Sequence, residues 1–213
     1  MNTQHTADQH EQKQQIRRQA HANRAALSDK DSLSQAICAK FADLPEYAAA
    51  GTVMFYVDAR SEVRTRHFLP AALVHGKRIV VPYCVEDVLE LFHLESMDEL
   101  ATGMYKILEP RDELRRVPEK RVAVNELDLV MVPGVAFDRR GARMGHGKGY
   151  YDKLLEHAQA DAPLVALAFE CQLFPEIPTL PHDVFMDKII TEEAVYQCQG
   201  RSAADAAPRD RGD

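Results

Sequence analysis

Short apolar runs, separated by stretches with helical patterning, constrain this chain more than any other feature. Residues 53–57, 78–81, 88–94, 127–132 and 164–168 are predominantly apolar over a few positions each. Some lack the strict in–out alternation of a half-exposed strand, which suits strands covered on both faces. Residues 66–75 and 150–158 carry helical patterning between them. Strand and helix in alternation predict an α/β fold layered about a largely parallel sheet. Ligands in such sheets sit at the carboxyl ends of strands. The loops just after Val57, Val132 and Ala168 are therefore where chemistry is expected.

The N-terminal part reads as helix. From about residue 10 to 27, Ile16, Ala20 and Leu27 fall on one stripe at 3.6 residues per turn. Lys13, Arg17 and Arg24 form a second stripe beside it, so docking of the apolar stripe turns these cations along the seam. Arg18 points elsewhere, into solvent. Ser28, with Asp31 three residues on, resembles a capping box that opens a second helix. Leu33, Ile37, Phe41 and Leu44 are its buried face, and Pro45 marks its end. Residues 1–9 and 200–213 lack periodic pattern and are expected to be disordered tails around one domain spanning 10–199.

Composition removes several function classes. No apolar run approaches the ~18 residues needed to span a bilayer, and the polar stretch from Met1 to Gln15 has no signal-peptide segment. A cytoplasmic protein is expected. Cys38, Cys84, Cys171 and Cys198 are widely spaced without a C-x-x-C pair, which predicts reduced, mostly buried thiols and no structural zinc. Cys84 and Cys171 are expected to fill core space. With 33 acidic against 26 basic residues the net charge is −7, the wrong sign for a nucleic-acid-binding domain. Basic residues must be read locally.

The most informative local segment is Pro133-Gly134-Val135-Ala136-Phe137-Asp138, followed by Arg143-Met144-Gly145-His146-Gly147-Lys148-Gly149-Tyr150-Tyr151-Asp152. Alternating glycines let backbone N–H groups converge on an anion. A helix beginning near Tyr150 adds its dipole, while Arg143 and Lys148 add full charges. The spacing is neither Walker A nor Rossmann, and taken alone it fits a phosphate cradle or a solvated glycine turn about equally.

That run resembles the signature of the 5-formyltetrahydrofolate cyclo-ligase family, whose core reads R-x-G-x-G-x-G-Y-Y-D. Further segments agree in order: Lys13-x-x-x-Arg17, Glu62-Val63-Arg64-Thr65, Glu109-Pro110, Ala166-Leu167-Ala168-Phe169, His182-Asp183, and Asp187 through Glu192. The resemblance spans about residues 11–196. It implies a three-layer α/β sandwich with a mostly parallel central sheet, related to sugar-phosphate isomerase and CoA-transferase folds. It implies ATP-dependent closure of 5-formyltetrahydrofolate to 5,10-methenyltetrahydrofolate with release of ADP and phosphate.

The resemblance also distributes roles. Lys13 and Arg17 would meet the ATP phosphates from the first helix, with Arg143 and Lys148 opposite; these four are the expected catalytic cations. Gly145, His146, Gly147, Gly149, Tyr150 and Tyr151 complete the ATP set. Asp152 and Asp183 would hold Mg²⁺, a hard cation that prefers oxygen ligands. Val57, Glu62 and Tyr105, together with His146, Gly147, Lys148, Gly149 and Tyr150, would face the folate. Read from the residues alone, Lys13 and Arg17 fit a solvated helix face, and Asp152 fits the first turn of any helix. Arg64 departs from the family's frequent acidic residue, and Tyr105 from its frequent Trp. A monomer whose only partner is the small-molecule folate, with no nucleic acid or membrane, completes the expectation.

Overall fold

The computed structural model describes residues 2–103, 107–180 and 183–201, with side chains from Gln9 onward. The α-helices among the described residues are α1 (Asn2–Ala26), α2 (Lys30–Ala42), α3 (Pro45–Ala49), α4 (Leu69–Leu73) and α5 (Tyr150–Leu155). The strands are β1 (Thr52–Met54), β2 (Arg78–Val85), β3 (Val88–Leu94), β4 (Leu100–Thr102), β5 (Leu108–Pro110), β6 (Arg121–Val122), β7 (Leu129–Val132), β8 (Ala136–Phe137), β9 (Arg143–Met144), β10 (Leu164–Leu167), β11 (Lys188–Ile190) and β12 (Val195–Gln197).

Eight strands form one sheet in the order β12-β11-β10-β7-β1-β2-β3-β6. Its centre is parallel: β11, β10, β7, β1 and β2 pair in that sense. The edge pairs β11–β12, β2–β3 and β3–β6 are antiparallel. Two small ribbons, β4–β5 and β8–β9, lie outside the sheet.

Period-two geometry sorts the apolar runs into two cores. Val53, Ile79, Val81, Leu129, Met131, Val165 and Leu167 face one way, onto Ile37 and Phe41 of α2, Tyr47 of α3 and Leu69 of α4. Met54, Val80, Val130, Val132, Leu164 and Ala166 face the other way, onto Leu154 and Leu155 of α5. Every residue of β7 and β10 is buried, which explains why those runs show no alternation in sequence. Helix, sheet and helix make three layers. A third cluster joins Ala20 of α1 to Val135, Ala136, Ala142 and Met144, docking α1 over the β8–β9 ribbon.

Several boundaries differ from the sequence expectation. Helix α1 begins at Asn2, not near residue 10, because no Gly or Pro interrupts the chain before Pro45. Asp29 caps α2 by accepting from Ser32 N at 3.3 Å, so Ser28 and Asp31 form no capping box; Asp31 instead pairs with Arg64. Pro45 does not merely end α2: it opens α3 at the position where a missing N–H costs nothing. Helix α5 stops at Leu155, three residues short of Ala158, so its dipole is weaker than expected. Cys84 is exposed beside the turn that closes the β2–β3 hairpin and is not a core filler. Residues 202–213 lie outside the described set. No helix among the described residues is long and apolar enough to cross a membrane.

Candidate functional site

The parallel strands end at a cleft of about 1080 Å³, roofed by α1 and floored by the turns after β1 and β7. Of the residues singled out in the sequence, Lys13, Arg17, Val57, Glu62, Arg143, Asp152, Asp183 and every residue from Gly145 to Tyr151 line it. Tyr105 lies outside the described residues. Six of the lining residues are Lys or Arg and six are Asp or Glu, so the cleft is charge-balanced inside a chain of net charge −7.

One wall is the glycine loop. Arg143 leaves β9 almost buried, at 4% side-chain exposure. Its Nη2 donates to Asp152 Oδ1, its Nη1 approaches Pro133 O at 3.4 Å, and its guanidinium lies 5.8 Å from the centre of the Tyr151 ring. Gly145 has ordinary φ; a Cβ there would meet Arg143 Nη1 at 3.0 Å, so the glycine makes room for the cation. Gly147 has φ +91° and Gly149 φ +69°, and only glycine holds such backbone without strain. Lys148 is exposed and has no ion-pair or hydrogen-bond partner among the described residues. It is a free cation at the cleft mouth.

The facing wall is α1. Arg17 Nε donates to Gly145 O at 3.1 Å, which ties the helix to the glycine loop across 128 residues of sequence. Lys13 Nζ lies 3.8 Å from Asp183 Oδ2. Asn23 Nδ2 donates to Cys171 O at 2.9 Å and anchors the same helix to the turn after β10. The cation stripe thus faces the seam, not water; Arg18 on the other side of the helix is exposed.

Two carboxylates lie among these cations. Asp152 is held by Arg143, while Asp183 faces Lys13 and accepts from Leu180 N at 2.7 Å. No group of three or more His, Cys, Asp or Glu side chains among the described residues forms a self-sufficient metal cage. Each carboxylate lines the cleft and is the kind of oxygen donor that Mg²⁺ prefers, with phosphate and water as its further ligands.

The remaining wall is mixed apolar and polar. Val57, Tyr56, Pro82, Tyr83, Leu89 and Ile107 line it with Glu62. Tyr56 is fully buried and donates to Val63 O at 3.1 Å; burial holds its hydroxyl protonated. Glu62 Oε2 accepts from Ala59 N at 2.9 Å and Oε1 lies 3.6 Å from His146 Nε2. Met54, the last residue of β1, packs into the core on the α5 side and does not reach the cleft, whereas Tyr56, beyond the end of the strand, lines it.

Sequence reading passed over several lining residues. Arg60 and Glu86 both carry φ +53°, backbone that is uncommon outside glycine and gathers at functional sites. Tyr83, Glu109, Asp112 and Arg115 meet there because Arg115 pairs with Glu109 and Asp112 and lies over the Tyr83 ring. No periodicity signals such a cluster. The Glu109-Pro110 pair was the one visible trace of it.

Comparison with known proteins gives a consistent result. Residues 9–192 match the model of the 5-formyltetrahydrofolate cyclo-ligase family. A Schizosaccharomyces pombe protein named "probable 5-formyltetrahydrofolate cyclo-ligase" is 32% identical over 201 residues, covering 87% of this chain and 97% of its own. A Mycolicibacterium smegmatis 5-formyltetrahydrofolate cyclo-ligase is 34% identical over 66% of this chain and 73% of its own. The solved structure of Aquifex aeolicus 5,10-methenyltetrahydrofolate synthetase superposes with a TM-score of 0.76 at 30% identity, over 87% of this chain and 92% of that one. Its Mycoplasma pneumoniae counterpart gives 0.67 at 25% identity, over 84% and 98%.

Proposed function

Since the chain belongs to the 5-formyltetrahydrofolate cyclo-ligase family, we propose that it is an ATP-dependent ligase that closes 5-formyltetrahydrofolate to 5,10-methenyltetrahydrofolate, releasing ADP and phosphate. The observation that carries this reading is the Arg17–Gly145 bond, which brings two helix cations and the glycine loop to opposite sides of one cleft.

The chemistry explains the composition of the walls. A formyl oxygen on N5 is a poor leaving group. Transfer of the γ-phosphoryl group to it makes a good one, and N10 of the folate then attacks the formyl carbon and expels phosphate. Phosphoryl transfer needs positioning and charge neutralisation more than covalent help. Lys13 and Arg17 act on the triphosphate from α1; Arg143, Lys148 and the 145–149 backbone act from the other side. Tyr150 and Tyr151 shape the ATP site between them, and His146 stands where that site meets the folate. Asp152 and Asp183 are the residues that would hold Mg²⁺. When bound, it neutralises charge that develops on the phosphate oxygens. Arg143 already holds Asp152, so that carboxylate would serve two cations once Mg²⁺ is bound. Glu62 accepts from the pterin edge or the N10–H, and Val57 and Tyr150 bound the apolar side. We extend the reading to a monomeric domain over 10–199 that shares ancestry with sugar-phosphate isomerase and CoA-transferase folds.

Mixing the protein with ATP, Mg²⁺ and 5-formyltetrahydrofolate tests the reaction by the near-ultraviolet absorbance of the methenyl product. Folded protein that produces no rise sinks the proposal. A sugar-phosphate isomerase on the same fold would show turnover without ATP.

A further inference from the structure

Arg24 is the bulkiest fully buried side chain among the described residues, at 1% exposure. Its Nε and Nη1 are buried and have no hydrogen-bond partner among those residues. It forms no ion pair there either; Glu62 is the carboxylate whose charge acts on it most strongly. A buried cation lacking a paired anion opposes folding, and features of that kind persist where function needs them.

What Arg24 touches shows the need. Its Nη2 lies 3.0 Å from His21 Nδ1. Arginine has only donors, so Nδ1 must accept. The His21 proton then sits on Nε2 and the ring is neutral. Burial, then the charge of Arg24, push the His21 imidazole below its ordinary value, in agreement. The neutral ring stacks on His146, with centroids 5.7 Å apart and planes at 27°. His146 Nε2 in turn lies 3.6 Å from Glu62 Oε1, in the wall assigned to the folate. Arg24 and His21 do not line the cleft. They stand behind it, His21 one contact and Arg24 two contacts removed from His146, which does line it.

We propose that Arg24 and His21 are positioning residues for the folate: Arg24 fixes the His21 ring, the ring props His146, and His146 orients the Glu62 carboxylate. The inference rests on the cyclo-ligase reading of the cleft. Its effect falls mainly on the folate, because the contacts from Arg24 end on Glu62, whereas Arg17 and Lys13, one and two turns of α1 before His21, hold the ATP wall.

The test is steady-state kinetics on the full chain, with thermal unfolding alongside. Arg24→Met keeps the length and apolar volume while removing the donors and the buried charge. KM for 5-formyltetrahydrofolate should rise about tenfold, with KM for ATP within about twofold of the parent. The melting temperature should hold or rise, since a buried uncompensated charge is gone. Arg24→Lys, which can still donate to Nδ1, should recover most of the folate affinity. Equal KM values for both substrates in Arg24→Met and the parent would overturn the inference. So would a parallel rise in both KM values with a lower melting temperature, the mark of a merely structural residue. If Arg24→Met does not fold, His21→Phe decides: it keeps a ring but loses the acceptor, and unchanged folate KM would overturn the idea. A parent protein that yields no methenyl product sinks the cyclo-ligase reading itself, whereas an active parent with an indifferent Arg24→Met sinks only this inference.

Discussion

Asp138 offers the sharpest test of how the cleft is held in shape. It is completely buried. Oδ1 accepts from Arg140 N at 3.0 Å and Ala142 N at 3.1 Å; Oδ2 accepts from Ile177 N at 2.9 Å and from the Arg140 guanidinium at 2.7 and 3.1 Å. One carboxylate therefore folds the turn that feeds β9 and Arg143, and clamps it to the segment leading to Asp183. In Asp138→Ala, Arg140 keeps water access and its charge rehydrates. The Ala142 and Ile177 amides, each in a residue 1% exposed, are orphaned. A buried donor left without an acceptor costs about 1–3 kcal/mol. Two such donors, less the relief of no longer burying a carboxylate, give a net loss of roughly 2–5 kcal/mol. For a chain of this size that lowers the melting temperature by roughly 4–20 °C. Asp138→Asn keeps one carbonyl oxygen and turns an NH₂ against the other donors, so its loss should be intermediate. Urea unfolding of the three proteins at one pH measures the series. A loss below about 1 kcal/mol for Asp138→Ala, or an Asn variant as unstable as Ala, would refute the assignment of the clamp to orphaned amides.

Asp152→Asn should lose most Mg²⁺-dependent turnover while unfolding within about 1 kcal/mol of the parent, because its partner Arg143 also has Pro133 O and the Tyr151 ring; activity against Mg²⁺ concentration checks this. Lys13→Ala should raise KM for ATP by about tenfold and leave folded stability unchanged, since its close partner among the described residues, Asp183, is 3.8 Å away and partly exposed. His21 carries the pH prediction. Its folded value is lowered by burial first, then by Arg24, His146 and Arg60, with Glu62 opposing. The unfolded chain therefore takes up a proton near pH 6.5 that the native state refuses, so stability falls as pH drops through that region. Urea midpoints from pH 8 to 5 should show a decline that is shallower in His21→Gln; equal slopes would show that His21 does not contribute.

Much of the fold was legible because its cause is local. The apolar runs at 53–57, 78–81 and 164–168 became β1, β2 and β10 because burial on both faces leaves an unmistakable mark on composition. Helix ends were read less well: whether Ser28 or Asp29 caps α2 depends on which side chain finds an amide, and neighbouring candidates compete within a fraction of a kcal/mol. The short strands β6, β11 and β12 carry too few residues to show a period, and only pairing with longer neighbours makes them strands.

By itself, the sequence determined the layered α/β class, the amphipathic first helix with its seam of cations, and the glycine loop with its charges. Each of these is a periodicity or a spacing, and backbone geometry converts both directly into structure. Only the tertiary structure decided which of those cations share a space. Arg17 meets Gly145, Arg143 takes Asp152, and Arg24 disappears beneath His21, although all three arginines look alike in the chain. The reason is that a contact between residues far apart in sequence depends on the path of everything between them, and local composition records none of that path.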